Sequence, residues 1–536
     1  MKTASLLRLP DFSSYVHAHA SRAAGRPAFV CGGAVATYQK LECELDRYAA
    51  VLRRLGARQG TVVAVVGHPR PECLLVVLAC FQTGAVFLGL NPKYQATELT
   101  RICQDAKPAM LFVMLAMDDH ENAKKISALL ARTSSIQAVV LREPLAEVAG
   151  ASLAELLETV DPGGIGKHVA DPASPSALVY TSGSTGEPKG ALLPQAGLLR
   201  SAAFTWQYWY GRMPIIRSIV QHPINHVGWL TCECLSPLLA GASLFFRERF
   251  DPVETLRLIE KERVNLWFTF PAMATLVTRA PAFGSADLSS LERVAFGSSP
   301  SLLLLNTLRT RTGAVFATSY GLTEACGGAV TATAEDDPLE VVADSVGRVV
   351  DGMEVAIVDE TGRALPDGGP GELLIRDETV FLGYLNRPSE TAAVLDAEGW
   401  LRTRDVVARD GAGVLRLVGR KQDAFKSGGY NVYPAEVERV LGTHPDVMVA
   451  AVVDVPDPLW GQVGAAYLVL ANGVALDRGA IDAFLRSRLA NFKIPKYFEA
   501  RPVLPRLANG KVDKLTLRAS AASLVADHHD PRQEAS

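Results

Sequence analysis

"YTSGSTGEPKG", Tyr180 to Gly190, opens on the end of the apolar run "ALVY" and holds three glycines, two serines, two threonines and one lysine in eleven positions. Glycines allow close approach of a backbone to a ligand, hydroxyls can donate to phosphate oxygens, and a lysine adds a mobile cation. A flexible surface linker has the same composition. A Walker A loop is excluded, because that motif needs a glycine directly before the lysine and a Ser or Thr directly after it. The dinucleotide fingerprint is missing as well. Linker and phosphate loop both stay open until the flanking chain is read.

That chain has 536 residues, so at about 150 residues per domain it should hold three to four units. Its hydrophobic content of 48%, charged content of 21% and net charge of -3 are those of a globular protein with no long-range field for polyanions, which excludes a nucleic-acid partner. The eight cysteines (Cys31, Cys43, Cys73, Cys80, Cys103, Cys232, Cys234 and Cys326) read as buried, reduced thiols, since "CEC" has no second pair or histidine to complete a metal site. "MKTASLLRLPDF" lacks a secretory core, and "LLVVLACFQTGAVFLGL" is broken by Gln82 and Thr83 and is short for a membrane span. A cytoplasmic, enzyme-like protein is expected.

Periodicity gives an amphipathic helix with Leu41, Leu45, Tyr48, Ala49 and Leu52 on one face, then the strand "TVVAVVG", a buried helix from Cys73 to Thr83, the strand "VFLGLN", a helix from Thr97 to Asp105 and the strand "AMLFV". This alternation is that of a parallel sheet covered by helices, and it recurs from about Asp171 to Val330. From about 340 to 420, short strands with turn signals predict a β-rich subdomain. After "GRKQD" an α+β unit of about one hundred residues follows, with a helix opened by Pro434 and another bearing Ile481, Phe484, Leu485 and Leu489 on one face. The expected class is thus α/β: a large N-terminal domain (1–420) of layered α/β subdomains plus the β-rich piece, joined to a small C-terminal domain (421–525), with a disordered tail (526–536). His528 and His529 stand in that tail without other ligands.

Four strings in order resolve the opening question. "YTSGSTGEPKG" resembles the phosphate-binding signature of the adenylate-forming superfamily, which contains acyl-CoA synthetases, adenylation domains of peptide synthetases and beetle luciferases. "SYGLTEA" (Ser319 to Ala325), "GWLRTRDVVARDGAGVLRLVGRKQD" and "ANGKVDK" resemble its later motifs, and "NPKYQATEL" adds a weaker upstream match. The chain is identified as a member of the acyl-CoA synthetase branch. The resemblance implies that a carboxylate attacks the α-phosphate of ATP to give an acyl-adenylate and pyrophosphate, after which a thiol displaces AMP. It implies a nucleotide site of Thr181, Ser182, Gly183, Ser184, Thr185, Gly186, Lys189, Gly297, Ser298, Ser299, Thr318, Ser319, Tyr320, Gly321, Thr323, Asp405, Arg420 and Lys511. Tyr320 would stack on the base and Thr323 touch the α-phosphate. Asp405 would accept from the ribose hydroxyls, Glu324 would bind Mg²⁺, and Lys511 would bridge carboxylate and α-phosphate. Lys511, Glu324, Thr185 and His226 are the implied catalytic groups.

The same resemblance implies a mobile C-terminal domain turning at Gln422, where the family commonly has Asp or Lys, and a pantetheine path along Ser427, Gly428 and Gly429. The chain also departs from the family at "PQAG" after the phosphate loop and at Leu507 where threonine is common; neither change removes a group the chemistry requires. In "QHPINHVGWL", His226 would gate the thiol tunnel. The acyl pocket would draw on His226, Val227, Gly228, Trp229, Phe270, Met273, Gly297, Gly321, Ala325 and Gly328. "INHVGWL" has no aspartate to pair an amine, and a buried unpaired ammonium is costly, so an α-amino acid is disfavoured. Fatty, alicyclic and aromatic acids all remain. No appended carrier or reductase is recognised, which favours a carboxylic acid:CoA ligase using ATP, Mg²⁺ and CoA. A stand-alone enzyme loading a carrier protein is the alternative. A silent nucleotide or acyl binder is a third reading, disfavoured by the joint presence of Glu324, Asp405, Arg420 and Lys511. Homodimers are common in the family.

Overall fold

The computed structural model describes residues 7, 9–162, 171–182, 188–210, 213–366, 368–421, 423–506 and 512–528. Two large sheets form the body of the N-terminal part. In the seven-stranded sheet the central strands Met110–Met114, Val62–Gly67 and Val86–Leu90 are parallel and almost wholly buried, as β-branched and apolar runs covered on both faces must be. Its far edge is the antiparallel hairpin Pro175–Ser182 and Pro188–Pro194 that carries the phosphate-loop motif. The nine-stranded sheet runs parallel through Val315–Tyr320, Arg293–Phe296, Leu266–Thr269, Arg217–Val220, Ser243–Phe246 and Pro27–Cys31, with antiparallel additions at both edges. Helix Pro71–Thr83, apolar on nearly every side, packs into the core cluster that includes residues of both sheets.

The β-rich piece is a four-stranded antiparallel sheet of Glu354–Val358, Gly371–Arg376, Leu401–Arg409 and Leu415–Arg420. The C-terminal part is a five-stranded sheet whose long hairpin, Val447–Asp457 with Gly461–Leu470, is backed by helices Pro434–Gly442 and Arg478–Arg486. Ile481 and Leu485 are buried there, with Phe484 and Leu489 packed at the margin. The fold is therefore the layered α/β architecture with a small α+β C-terminal unit. That unit is docked: Met448, Ala451 and Val453 share one apolar cluster with Trp267, Val294 and Leu304. Arg506 Nη2 donates to the Ala272 carbonyl at 2.8 Å, and Asp344 receives Arg416 Nε at 2.8 Å as well as Arg439.

Two expectations change. The last helix, Lys514–His528, continues past residue 525 into the segment read as tail. Cys43 lies exposed on helix Tyr38–Arg54, and Cys31 is only part-buried, so the thiols are all unpaired but not all buried. The hinge position Gln422 lies outside the described residues. Among those residues, no helix is long and apolar enough to cross a membrane.

Helix Pro71–Thr83 is ended by Gly84 in the left-handed region (φ 76°), where a Cβ would meet Gln59 Oε1 at 2.2 Å. Gly84→Ala is expected to cost about 1–2 kcal/mol from the backbone term alone, read as a lowered unfolding midpoint with unchanged KM values.

Candidate active site

The carboxyl ends of the parallel strands face one region, which is where open α/β sheets place ligands. His226 follows Arg217–Val220, Phe270 follows Leu266–Thr269, Gly297 follows Arg293–Phe296, and Ser319 and Tyr320 end Val315–Tyr320. Gly297 has to be small, because a Cβ there would stand 2.5 Å from the Phe270 ring. Two cavities meet at Phe270 and Gly297.

The first, of about 410 Å³, is lined by Ser298, Ser299, Ser319, Tyr320, Gly321, Asp405 and Arg420 from the N-terminal part and by Glu438, Arg439, Ala450 and Val512 from the C-terminal part. Asp405, 1% exposed, organises it. Tyr320 Oη donates to one carboxylate oxygen at 2.5 Å, and Arg420 Nε donates to the other at 2.9 Å. Burial and then the Asp405 charge push the Tyr320 phenol well above its ordinary range, so it stays a donor. The Asp405 charge raises Arg420 further, keeping it cationic. An ionised carboxylate has about four acceptor sites. With two taken, two are left for paired hydroxyls.

On the phosphate-loop side, Thr181 pairs with Lys189 across the hairpin, Thr181 Oγ1 donating to the Lys189 carbonyl at 3.5 Å. Lys189 Nζ lies 5.6 Å from the centre of the Tyr384 ring, and Tyr384 Oη donates to Glu324 Oε1 at 2.7 Å. Lys189 and Glu324, far apart in sequence, are thus gathered by Tyr384. Thr318, fully buried below the cleft, accepts the Thr333 hydroxyl on its carbonyl oxygen at 3.3 Å, and Thr323 lines the second cavity rather than the first. Gly183, Ser184, Thr185, Gly186 and Lys511 lie outside the described residues, as does the Ser182 side chain.

The second cavity is a slot of about 80 Å³. Trp209 stacks on Phe268 (5.0 Å, 28°), Phe268 meets Phe270 edge-on at 5.6 Å, and Val227, Gly228, Gly321 and Gly327 supply the small surfaces. His226 lies edge-on to Phe270 at 5.8 Å. Its Nδ1 accepts the Gly228 N–H at 3.0 Å, so the neutral ring carries its proton on Nε2.

Four residues expected in the acyl pocket lie elsewhere. Trp229 is fully buried and packs against Phe87 at 6.1 Å, because it opens a π-helical turn, Trp229–Leu235, that turns it toward the core. Met273 lines a separate outer cavity. Ala325 sits in the core beside Phe204 and Val330, and Gly328 lies behind Gly321, held by its N–H to Ser201 Oγ at 2.8 Å. Ser427, Gly428 and Gly429 are not brought to the nucleotide cleft either; Gly428 (φ 56°) packs beneath the Trp460 ring. Trp209, Phe268 and Tyr384 were missing from the sequence reading, whereas Gly327 lies in the "ACGG" stretch, Ala325 to Gly328, that it places in the acyl pocket. Phe268 had a signal: it alternates with Phe270 in "LWFTF", which puts both rings on one face of an extended segment.

The AMP-binding enzyme family matches residues 16–385, and the AMP-binding enzyme C-terminal domain matches residues 436–511. The chain belongs to the AMP-binding enzyme family. It is 35% identical over 497 residues to a feruloyl-CoA synthase of Amycolatopsis sp, covering 91% of this chain and 94% of that one. It is 33% identical over 518 residues to an indoleacetate–CoA ligase of Aromatoleum aromaticum, covering 96% and 98%. The amide bond synthetase McbA of Marinactinospora thermotolerans, a solved structure, superposes with a TM-score of 0.82 at 31% identity over 95% of this chain and 99% of that one.

Asp405→Asn removes the charge that both partners bond. Hydrogen bonds to charged groups are worth about 1.5–3 kcal/mol, so the KM for ATP should rise by about one to two orders of magnitude with the acid KM little changed. Trp229→Ala should cost about 3–5 kcal/mol of stability and leave the ranking of acids unaltered, whereas Phe268→Ala should change that ranking; thermal melts and competition assays separate the two.

Proposed function

We propose that this protein is an ATP-dependent, AMP-forming carboxylic acid:CoA ligase whose acid is flat and aromatic. The observation that carries the reading is the slot lined by the aromatic rings of Trp209, Phe268 and Phe270, which abuts the nucleotide cleft at Gly297. Stacked or edge-on rings favour a planar guest, and a slot of about 80 Å³ is far below the several hundred Å³ typical of sites for larger ligands. The named activities of the two curated relatives, on feruloyl and indoleacetyl acids, agree with this choice.

In the first half-reaction the acid's ring enters the slot and its carboxylate lies at Phe270 and Gly297, beside His226. Asp405 and Arg420 hold the ribose, Tyr320 and Gly321 border the base, and Thr181, Ser184, Thr185 and Lys189 receive the phosphates. A carboxylate oxygen forms a bond to the α-phosphorus and pyrophosphate leaves. Lys511 would offset charge at both reacting groups, and the lining of the same cleft by its sequence neighbour Val512 supports that assignment. Catalysis at phosphorus is mainly positioning and charge placement. Among the described residues no three or more His, Cys, Asp or Glu side chains converge, so no protein cage for a metal is present there. That fits Mg²⁺, which binds through one or two carboxylates plus phosphate oxygens. Glu324, steadied by Tyr384, would hold it, and bound there it would neutralise phosphate charge. Ser427 to Gly429 belong to a face that would serve the thiol after the C-terminal part turns at Gln422.

The test is a mass-spectrometric product screen with Mg-ATP, CoA and a mixed panel of benzoates, cinnamates, indolic acids, alicyclic acids and fatty acids of several lengths. Aryl-CoA is expected to dominate, with long-chain acyl-CoA at least tenfold lower. A preference for long fatty acids would contradict the slot assignment, and acyl-AMP without any thioester would favour a carrier protein or an amine as acceptor. Lys511→Ala should lower adenylation by at least a hundredfold while leaving melting unchanged, and chelation of Mg²⁺ should stop adenylation reversibly.

A further inference from the structure

Behind Phe270 lies an ionisable pair that nothing in the first half-reaction uses. Glu233, on the π-helical turn, and His222, just after strand Arg217–Val220, are both essentially unexposed. Glu233 Oε2 accepts the backbone N–H groups of Gln221 (3.1 Å) and His222 (2.9 Å), and Oε1 stands 2.5 Å from His222 Nδ1. An ionised carboxylate only accepts, so the proton between the groups belongs to Nδ1 and the neutral ring presents a lone pair at Nε2. Nε2 is buried and has no hydrogen-bond partner among the described residues. Buried polar atoms of this kind call for an explanation. π-Helical turns are themselves concentrated at functional sites.

His222 touches Phe268 and Phe270 (ring centroids 5.1 and 5.0 Å) and lines the outer cavity of about 570 Å³. That cavity carries Lys93, Arg249 and Arg506 against Glu248, with His68 and Met273 also on its wall. Its excess of cations suits a phosphorylated ligand. The acyl carbon of the adenylate must lie where slot and nucleotide cleft meet, at Phe270. With the nucleotide filling its own cleft, the outer cavity is the space that reaches the other side of that ring, through His222 and Met273.

We infer that His222, held by Glu233, is the proton acceptor for the incoming thiol in the thioester-forming half-reaction, an assignment that rests on the ligase reading above. The thiol proton passes to His222 Nε2; the sulfur then bonds to the acyl carbonyl carbon, the carbon–oxygen bond to the phosphate breaks, and AMP leaves with that electron pair. The proton on His222 returns to water in the outer cavity. Other groups facing the pair do not replace it. Cys232 and Cys234, beside Glu233, are buried thiols held far above their ordinary range by desolvation, and His68 is made a weaker base than usual by burial and then by Arg249, whereas His222 is the ring that packs on Phe270. Lys93, Arg249 and Arg506 are cations, Glu248 is paired with Arg70, and His226 faces the opposite cavity across Phe270.

The experiment uses full-length His222→Gln. Acyl-adenylate is formed on the enzyme from the best acid of the product screen, then chased in a single turnover with CoA or with hydroxylamine between pH 6.5 and 9. A thiol with a pKa of about 8.5 is only about 3% ionised at pH 7. The CoA chase should therefore fall about 30-fold at pH 7 and recover to within about twofold at pH 9, while adenylate formation and the hydroxylamine chase, which needs no thiol deprotonation, stay within about twofold throughout. Glu233→Gln, which keeps the side-chain shape but cannot hold the same tautomer, should shift the pH profile in the same direction and stands in if His222→Gln does not fold. An unchanged CoA chase, a loss that does not vary with pH, or an equal loss with hydroxylamine would overturn the assignment. A failure of the unsubstituted protein to form any adenylate would instead overturn the ligase reading beneath it.

Discussion

The site depends on one buried carboxylate. Asp405 comes from the four-stranded sheet, yet one of its oxygens is bonded by Tyr320 at the end of a strand in the nine-stranded sheet. The other is bonded by Arg420, the last residue of the N-terminal sheet strands before the C-terminal unit. A buried charge stays charged only when hydrogen-bonded donors and a counter-charge surround it. Here those donors also tie the β-rich piece to the nucleotide wall and fix where the C-terminal unit starts. The same three groups therefore fix the join between the two sheets and one wall of the cleft together.

From that clasp the remaining geometry follows by packing. Parallel strands deliver Phe270, Gly297 and Ser319 to one level, and the absence of a Cβ at Gly297 lets the Phe270 ring close over the junction of the two cavities. The rings of Trp209 and Phe268 then floor the slot, while Tyr384 gathers Glu324 and Lys189 on the phosphate side. The C-terminal unit completes the nucleotide cleft through Glu438, Arg439 and Val512, a contact surface secured by apolar packing and by Arg439 on Asp344.

Much of this was legible in the sequence because it rests on local rules. Apolar runs such as "TVVAVVG" and "VFLGLN" announce buried parallel strands, and four ordered motifs identify the family, one of them holding Asp405 and Arg420, which line the larger cleft. Side-chain direction was not legible. Trp229 adjoins His226 in sequence, but a π-helical turn changes the facing of its residues, so it packs on Phe87 while Trp209, from a separate π-helical stretch, supplies the slot's ring. Glu233 did leave a trace. A single acid in "WLTCECLSPLL" has to be paired if that segment is buried, but its partner His222 is identified only once strand and turn are placed side by side.

The chemistry proposed above has the acid's oxygen attack the α-phosphorus of ATP in the cleft organised by Asp405. Its most direct test is a turnover with an aromatic acid labelled with oxygen-18 in both carboxylate positions, followed by mass analysis of the products. One heavy oxygen is expected in AMP and one in the acyl-CoA. Label in inorganic phosphate with ADP as the nucleotide product, or AMP carrying none, would contradict it.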